Sequence, residues 1–146
     1  MKAIRLSLAL LLAALPVASF AADRVVHLPF ASVVAEAEKS GKLDGSVKFY
    51  LAGNTPAGKV EVVKENVDVS RKTNGFGKKD QESCDWVLQS VLIGLQDEAK
   101  AAGANAVVDI ISNYNGAEYK DGEKYECRAG FLMSGVQLKA KLAKVQ

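Results

Sequence analysis

Seven consecutive residues, Gly53-Asn54-Thr55-Pro56-Ala57-Gly58-Lys59, spell G-x-x-x-x-G-K, the spacing with which a glycine-rich loop and a lysine cradle phosphates. That chemistry also needs a Ser or Thr after the lysine to hold magnesium. It then needs a helix whose first amides face the phosphates. Val60 follows instead, and the next residues are rich in β-branched side chains. The segment therefore predicts a hairpin turn and no nucleotide site.

Cys84 and Cys127 are the only cysteines, 43 positions apart. In the chain-entropy model, a bridge closing that loop removes about 4 kcal/mol of unfolded-state entropy. An even count in an oxidising compartment predicts a structural disulfide. The competing chemistry is a reactive thiol. Cys84 falls in the first turn of a predicted helix, which favours the thiolate. No resolving cysteine lies nearby, however, and the neighbouring carboxylate of Asp85 opposes the thiolate charge.

His27 is the single histidine, and no nucleophile elbow accompanies it, so a Ser-His-Asp arrangement has nothing to build on. One imidazole and two distant cysteines supply no zinc set. No catalytic residue, metal or cofactor is expected. Two groups are candidates for binding. Arg71, Lys72, Lys78 and Lys79 surround Phe76 in a glycine-containing stretch that reads first as a solvated loop, with an anion-binding loop for an envelope component as the functional alternative. Tyr114, Tyr119 and Tyr125 flank a polar turn and offer an aromatic patch, or else cap the end of a sheet. A small-molecule site near Tyr114 and Tyr125 would need a pocket there.

The elements that must position these residues follow from periodicity. Residues 25–28 predict a short strand ended by Pro29, and residues 32–39 a short helix stopped by Gly41. Val47, Phe49 and Leu51 alternate with Lys48 and Tyr50 as in a half-buried strand. Residues 59–69 are β-rich, and the change of parity from Val60 and Val62 to Val63, Val67 and Val69 predicts a bulge near Val63. Residues 70–79 predict a loop, and Asp80 a cap for the helix after it. In that helix Leu88, Val91, Leu92, Leu95, Ala99 and Ala102 recur at helical spacing, Trp86 and Ile93 widen the stripe, and Gly103 ends it.

Residues 106–111 are apolar on both faces, as a central strand would be. Residues 115–122 predict a polar turn. A last strand is expected over about 124–138. Tyr125, Cys127, Ala129, Phe131 and Met133 share one parity there, and a bulge near Gly135 passes the pattern to Val136 and Leu138. Cys127 then faces the layer of the long helix that Cys84 opens. The expected fold is α+β: a curved, mostly antiparallel sheet packed on one long helix at about 80–103, plus a short N-terminal helix.

The N-terminus reads as an export signal. Lys2 and Arg5 precede an apolar run over residues 6–17, and Ser19-Phe20-Ala21 places small residues where a signal peptidase reads them. Cleavage is expected after Ala21, giving a signal peptide at 1–21 and a single domain at 22–146. Pro16 and Asp23-Arg24 cut the run short of the roughly 20 apolar residues a spanning helix needs. Removing residues 1–21 from the 146 leaves 125, with 17 basic residues against 17 acidic. A neutral domain of this kind gives no electrostatic reason to bind nucleic acid or an anionic membrane. The expectation is a periplasmic or secreted location, no membrane span after processing, and an envelope protein or glycan as partner, with homo-oligomers left open.

Several stretches together carry a resemblance: Lys72-Thr73-Asn74-Gly75-Phe76, Cys84-Asp85-Trp86, Gly103-Ala104-Asn105-Ala106-Val107-Val108 and Tyr125-Glu126-Cys127. The chain resembles a family of uncharacterised exported bacterial proteins that often carry the label "excinuclease ATPase subunit". The likeness runs from Pro29-Phe30 to Gly135-Val136. The label's activity does not fit an exported domain without a competent phosphate loop. More distantly, the long helix and Gly103–Val108 are similar to the YbjQ-like domain, itself similar to a domain of the Rcs envelope-stress lipoprotein. These relatives imply a small sheet on a long helix, roles in signalling or assembly, and ring-shaped oligomers. The chain departs from the stress sensor in lacking a lipid-anchor cysteine and in carrying two cysteines, not four. The function expected from all this is non-enzymatic binding of an envelope component, in envelope homeostasis or stress. The alternative is a small thiol-dependent redox protein using Cys84.

Overall fold

The computed structural model describes residues 23–146, so the export signal read at residues 1–21 lies outside the described residues. In chain order the elements are β1 (Arg24–Pro29), α1 (Ala31–Lys39), β2 (Lys48–Leu51), β3 (Val60–Asn74) and α2 (Asp80–Ala101). They continue with β4 (Ala106–Tyr114), β5 (Ala117–Tyr119), β6 (Lys124–Ala129) and β7 (Met133–Val145). All seven strands join one sheet in the order β1-β6-β7-β4-β2, with β3 added on β7 and β5 on β4. Only β2 and β4 run parallel; the remaining pairs are antiparallel. The architecture is the expected mixed α/β one, a mostly antiparallel sheet packed with a helix.

The 22-residue α2 is the element around which the core forms. Its buried residues, from Ser83 and Cys84 through Val87, Leu88, Val91, Leu92 and Leu95 to Ala99, recur every three or four positions. That stripe meets Val67 and Val69 of β3, Tyr125 and Cys127 of β6, and Val136, Leu138 and Leu142 of β7. Leu88, Leu92 and Leu95 are fully buried, and each contributes roughly 2–3 kcal/mol of transfer free energy. Gly103 at φ +70° closes the helix: its N–H donates to Lys100 O at 3.1 Å, and Ala104 N–H donates to Ala99 O at 2.8 Å. This is the paired C-terminal motif for which glycine, free of a Cβ penalty at positive φ, is suited.

Several expectations are corrected. The strand read as continuous over 124–138 is two strands, β6 and β7, separated by a turn at 130–132 that Gly130 N–H closes onto Met133 O at 2.8 Å. That turn replaces the bulge expected near Gly135. The stretch read as a polar turn at 115–122 holds β5, a short hairpin partner of β4. The first half of the loop read at 70–79 is strand, because β3 pairs with β7 as far as Asn74. Its register shift between Val62 and Lys64 does fall where the change of parity predicted a bulge. The segment 53–59 is not a hairpin turn either, since β2 pairs with β4 and β3 with β7. Asp80 does not cap α2. Lys79 occupies the cap position without a side-chain bond, and the Asp80 carboxylate instead binds Arg24 of β1. Trp86, expected to widen the buried stripe, is exposed, with the Lys42 ammonium 4.1 Å from its ring centroid.

Candidate functional site

Cys84 and Cys127 stand at disulfide distance, with sulfurs 2.09 Å and Cα atoms 5.9 Å apart. Both are fully buried. Helical spacing turns Cys84 inward beside Val87 and Leu88, and strand alternation turns Cys127 inward between Tyr125 and Ala129. The residue before Cys84 makes a second tie, since the Ser83 and Ser134 hydroxyls share a hydrogen bond of 2.7 Å. The start of α2 is thus fastened to β6 by sulfur and to β7 by oxygen.

Above that base, two turns lie side by side. Asn74 pairs with Met133 at the end of the β3–β7 ladder, and Gly75 N–H donates to Leu132 O at 2.8 Å. The ladder therefore carries turn 75–79 and turn 130–132 together. Their tips are apolar: Phe131 is 70% exposed, Leu132 61% and Phe76 58%, and Met133 at the start of β7 is 47% exposed. The Phe76 and Phe131 rings meet edge to face with centroids 5.3 Å apart, a geometry favoured by their quadrupoles. Gly75 permits the close approach, since a Cβ there would lie 2.9 Å from the Ser134 hydroxyl.

The four cations expected in one loop are divided by strand alternation. Arg71 turns toward α2, a guanidinium nitrogen standing 3.1 Å from where a Cβ on Gly94 would be. Lys72 turns to the opposite face, against Gly135, which also packs on Tyr114. Only Lys78 and Lys79 share the turn with Phe76. Among the described residues no ion pair holds Lys72, Lys78 or Lys79.

The three tyrosines divide as well. Tyr125 is wholly buried, and its hydroxyl donates to Asp85 at 2.6 Å. Burial, reinforced by that carboxylate, pushes its pKa far above the ordinary phenol value. Tyr114 and Tyr119 lie on the sheet face turned away from α2, with a polar cluster that sequence reasoning missed. Glu126, buried there, receives Arg128 at 3.1 and 3.0 Å on one oxygen and faces His27 Nε2 at 3.1 Å on the other. The His27 ring stacks on Tyr119 at 3.9 Å, and Arg128 lies over the Tyr114 ring at 5.4 Å. Partial burial, then the nearby Asp121, raises the Tyr119 pKa. Backbone N–H groups of Glu123 and Lys124 hold Asp121 below its usual range. Both Glu126 oxygens are engaged, so the cluster ties β1 to β6 and offers no open acid. His27 and Glu126 are direct cross-strand partners. The available signal was the alternation that sets Glu126 and Arg128 opposite Cys127, but pairing with His27 across 99 positions has no local trace.

Segment 53–59 leads into β3, not into a helix, and Lys59 and Gln146 exchange backbone hydrogen bonds of 3.2 and 3.0 Å. A cavity of about 400 Å³ lies between α1, β2 and the loop at 122–123, walled by Phe30, Val34, Phe49 and Leu51 with Asn54 and Glu123 as polar groups. None of the three tyrosines lines it.

Comparison with protein-family models, with curated proteins and with solved structures returns no match. Among the described residues no group of three or more His, Cys, Asp or Glu is placed to hold a metal ion. None of the described helices is long and apolar enough to cross a membrane. The residues that stand out are those of the paired turns.

Proposed function

We propose that the protein works outside the cytoplasm as a non-enzymatic binding protein. It docks another envelope component on the turns that carry Phe76 and Phe131. One observation carries this reading: four large apolar side chains project together from a base held by a sulfur bridge, a hydroxyl pair and a strand ladder. Single exposed apolar residues are ordinary, but a contiguous group marks a contact surface. Bracing lowers the entropy lost when such a surface engages its partner.

The Cys84–Cys127 pair acts as a structural staple in this reading. Its complete burial supports that role over thiol exchange, which needs an accessible sulfur. Disulfide geometry and the N-terminal export pattern both support a location in the periplasm or beyond. The resemblance carried by Lys72–Phe76, Cys84–Trp86 and Gly103–Val108 supports membership of the exported family and an envelope role without catalysis.

The test is a photoreactive amino acid introduced at Leu132 in living cells, with the same group at exposed Lys144 as control. An adduct with an envelope component formed from position 132 and not from 144 is expected. Absence of any adduct from position 132 would remove the turns as a docking surface.

A further inference from the structure

We infer that the paired turns are a wedge for the surface of a bilayer containing anionic phospholipid, with Phe76, Phe131 and Leu132 entering the interface and Lys78 and Lys79 meeting the phosphates. This deepens the docking role proposed above and rests on it. Three observations favour lipid over the other occupants of such a surface.

The first is shape. The apolar side chains sit at the tips of turns and are 58–70% exposed, so they project and do not line a groove. A protein partner would have to supply the whole concavity, whereas the interface of a bilayer receives a projecting side chain without a preformed pocket. The second is chemistry. Aromatic and aliphatic side chains beside lysines are the combination that partitions into the headgroup and acyl boundary, the ring or branched chain entering while the ammonium stays at phosphate level. A glycan would be met by hydroxyl, amide and carboxylate groups, which the tips lack.

The third is charge. Lys78 and Lys79 stand two and three positions after Phe76 without ion-pair partners among the described residues. Three carboxylates lie nearby. Asp80 is bound by Arg24, Asp23 packs beside Gly130, and Glu82 lies in the first turn of α2, three positions after Lys79. The mature chain as a whole is neutral, so attraction to an anionic surface must come from local placement. Each basic group near such a surface adds to binding, and salt screens the effect.

The experiment is flotation of the disulfide-intact protein with vesicles of phosphatidylcholine alone or of phosphatidylcholine with 30 mol% phosphatidylglycerol, on the order of physiological ionic strength. Three proteins are compared: the native sequence, Phe76→Ser with Phe131→Ser, and Lys78→Glu with Lys79→Glu. The substituted side chains are exposed, and unchanged thermal unfolding verifies that each variant folds. The native protein should bind anionic vesicles at least tenfold better than neutral ones, by an order-of-magnitude expectation for two lysines. Each double variant should lose about tenfold or more. In a Phe131→Trp, Trp86→Phe protein, tryptophan emission should shift to the blue with anionic vesicles. Equal binding to both vesicle types, or variants that float like the native protein, would overturn the inference. No flotation together with a protein adduct at position 132 would overturn the lipid assignment and leave the docking role standing. No flotation and no adduct would end both.

Discussion

Ser83 and Ser134 share a hydrogen bond of 2.7 Å, so the first turn of α2 is pinned to the start of β7 one residue before Cys84 pins it to β6. Consecutive residues of one helix therefore hold two strands that are joined by the exposed turn at 130–132. A helix start, two strand ends and two turns form one mechanical unit, and bridging it covalently restricts all of them.

Reducing the bridge should lower the thermal midpoint by on the order of 10 °C, since about 2–4 kcal/mol is at stake in a domain of this size. Cys84→Ser, Cys127→Ser and the double variant should cost nearly the same, because any one of them removes the whole constraint. Calorimetry with and without reductant checks this. Two thiols that react rapidly in the native, non-reduced protein would contradict the staple.

Tyr125 sets an alkaline limit. Its folded-state pKa lies above the unfolded value of about 10, because burial and Asp85 disfavour the phenolate. A raised acid of this kind contributes stability in full below the unfolded value and loses it as pH rises beyond. Native stability should therefore fall steeply above pH ~10. Tyr125→Phe should lose about 1 kcal/mol at neutral pH with the hydroxyl bond to Asp85, yet decline more gently in alkali. Tyr119, also raised, leaves a residual slope. Urea unfolding from pH 7 to 11 with both proteins compares the two slopes; equal slopes would exclude Tyr125 as the cause.

These relationships differ in how far the sequence displayed them. The stripe of α2, its glycine stop and the inward parity of Cys127 are local periodicities, and the helix and the cysteine pairing were legible from them. The division between β6 and β7 was not. A turn usually announces itself with polar residues, and turn 130–132 carries Phe131 and Leu132 after a single Gly130. The residues that make this turn a candidate contact surface are the same ones that disguise it as strand. The end of β3 is hidden for the opposite reason: Ser70, Arg71 and Lys72 are polar, and their strand conformation comes from pairing with distant β7. By sequence alone Arg71 and Lys72 look like neighbours in a loop, whereas alternation sends them to opposite faces.

Processing gives a mass. Cleavage after Ala21 leaves a chain that begins at Ala22, and intact-mass measurement of protein from the periplasmic fraction should find it with two hydrogens fewer than the reduced sequence. Full-length protein in the cytoplasm would remove both the location and the oxidising environment on which the staple depends.

Two glycines in one loop allow conformation and contact to be separated. Gly53 and Gly58 both have positive φ, +96° and +99°, so alanine is strained at either position. Around Gly53 nothing lies within 4 Å of the place an alanine methyl would take, whereas at Gly58 that methyl would collide with the backbone carbonyl oxygen of Gln146. Gly53→Ala should therefore cost only the backbone strain, about 1–2 kcal/mol. Gly58→Ala should cost clearly more, because the chain must also part Lys59 from Gln146 and break hydrogen bonds of 3.2 and 3.0 Å that close the end of the β3–β7 ladder. Thermal unfolding of the two variants measures the difference, and equal midpoints would show that the contact adds nothing to the strain. The same loop supplies its own control. A phosphate-cradling loop would lose ATP affinity on Lys59→Ala, but β3 follows this one where a helix N-terminus would be needed. Calorimetric titration should find no ATP binding before or after that substitution, and binding abolished by it would restore the nucleotide reading.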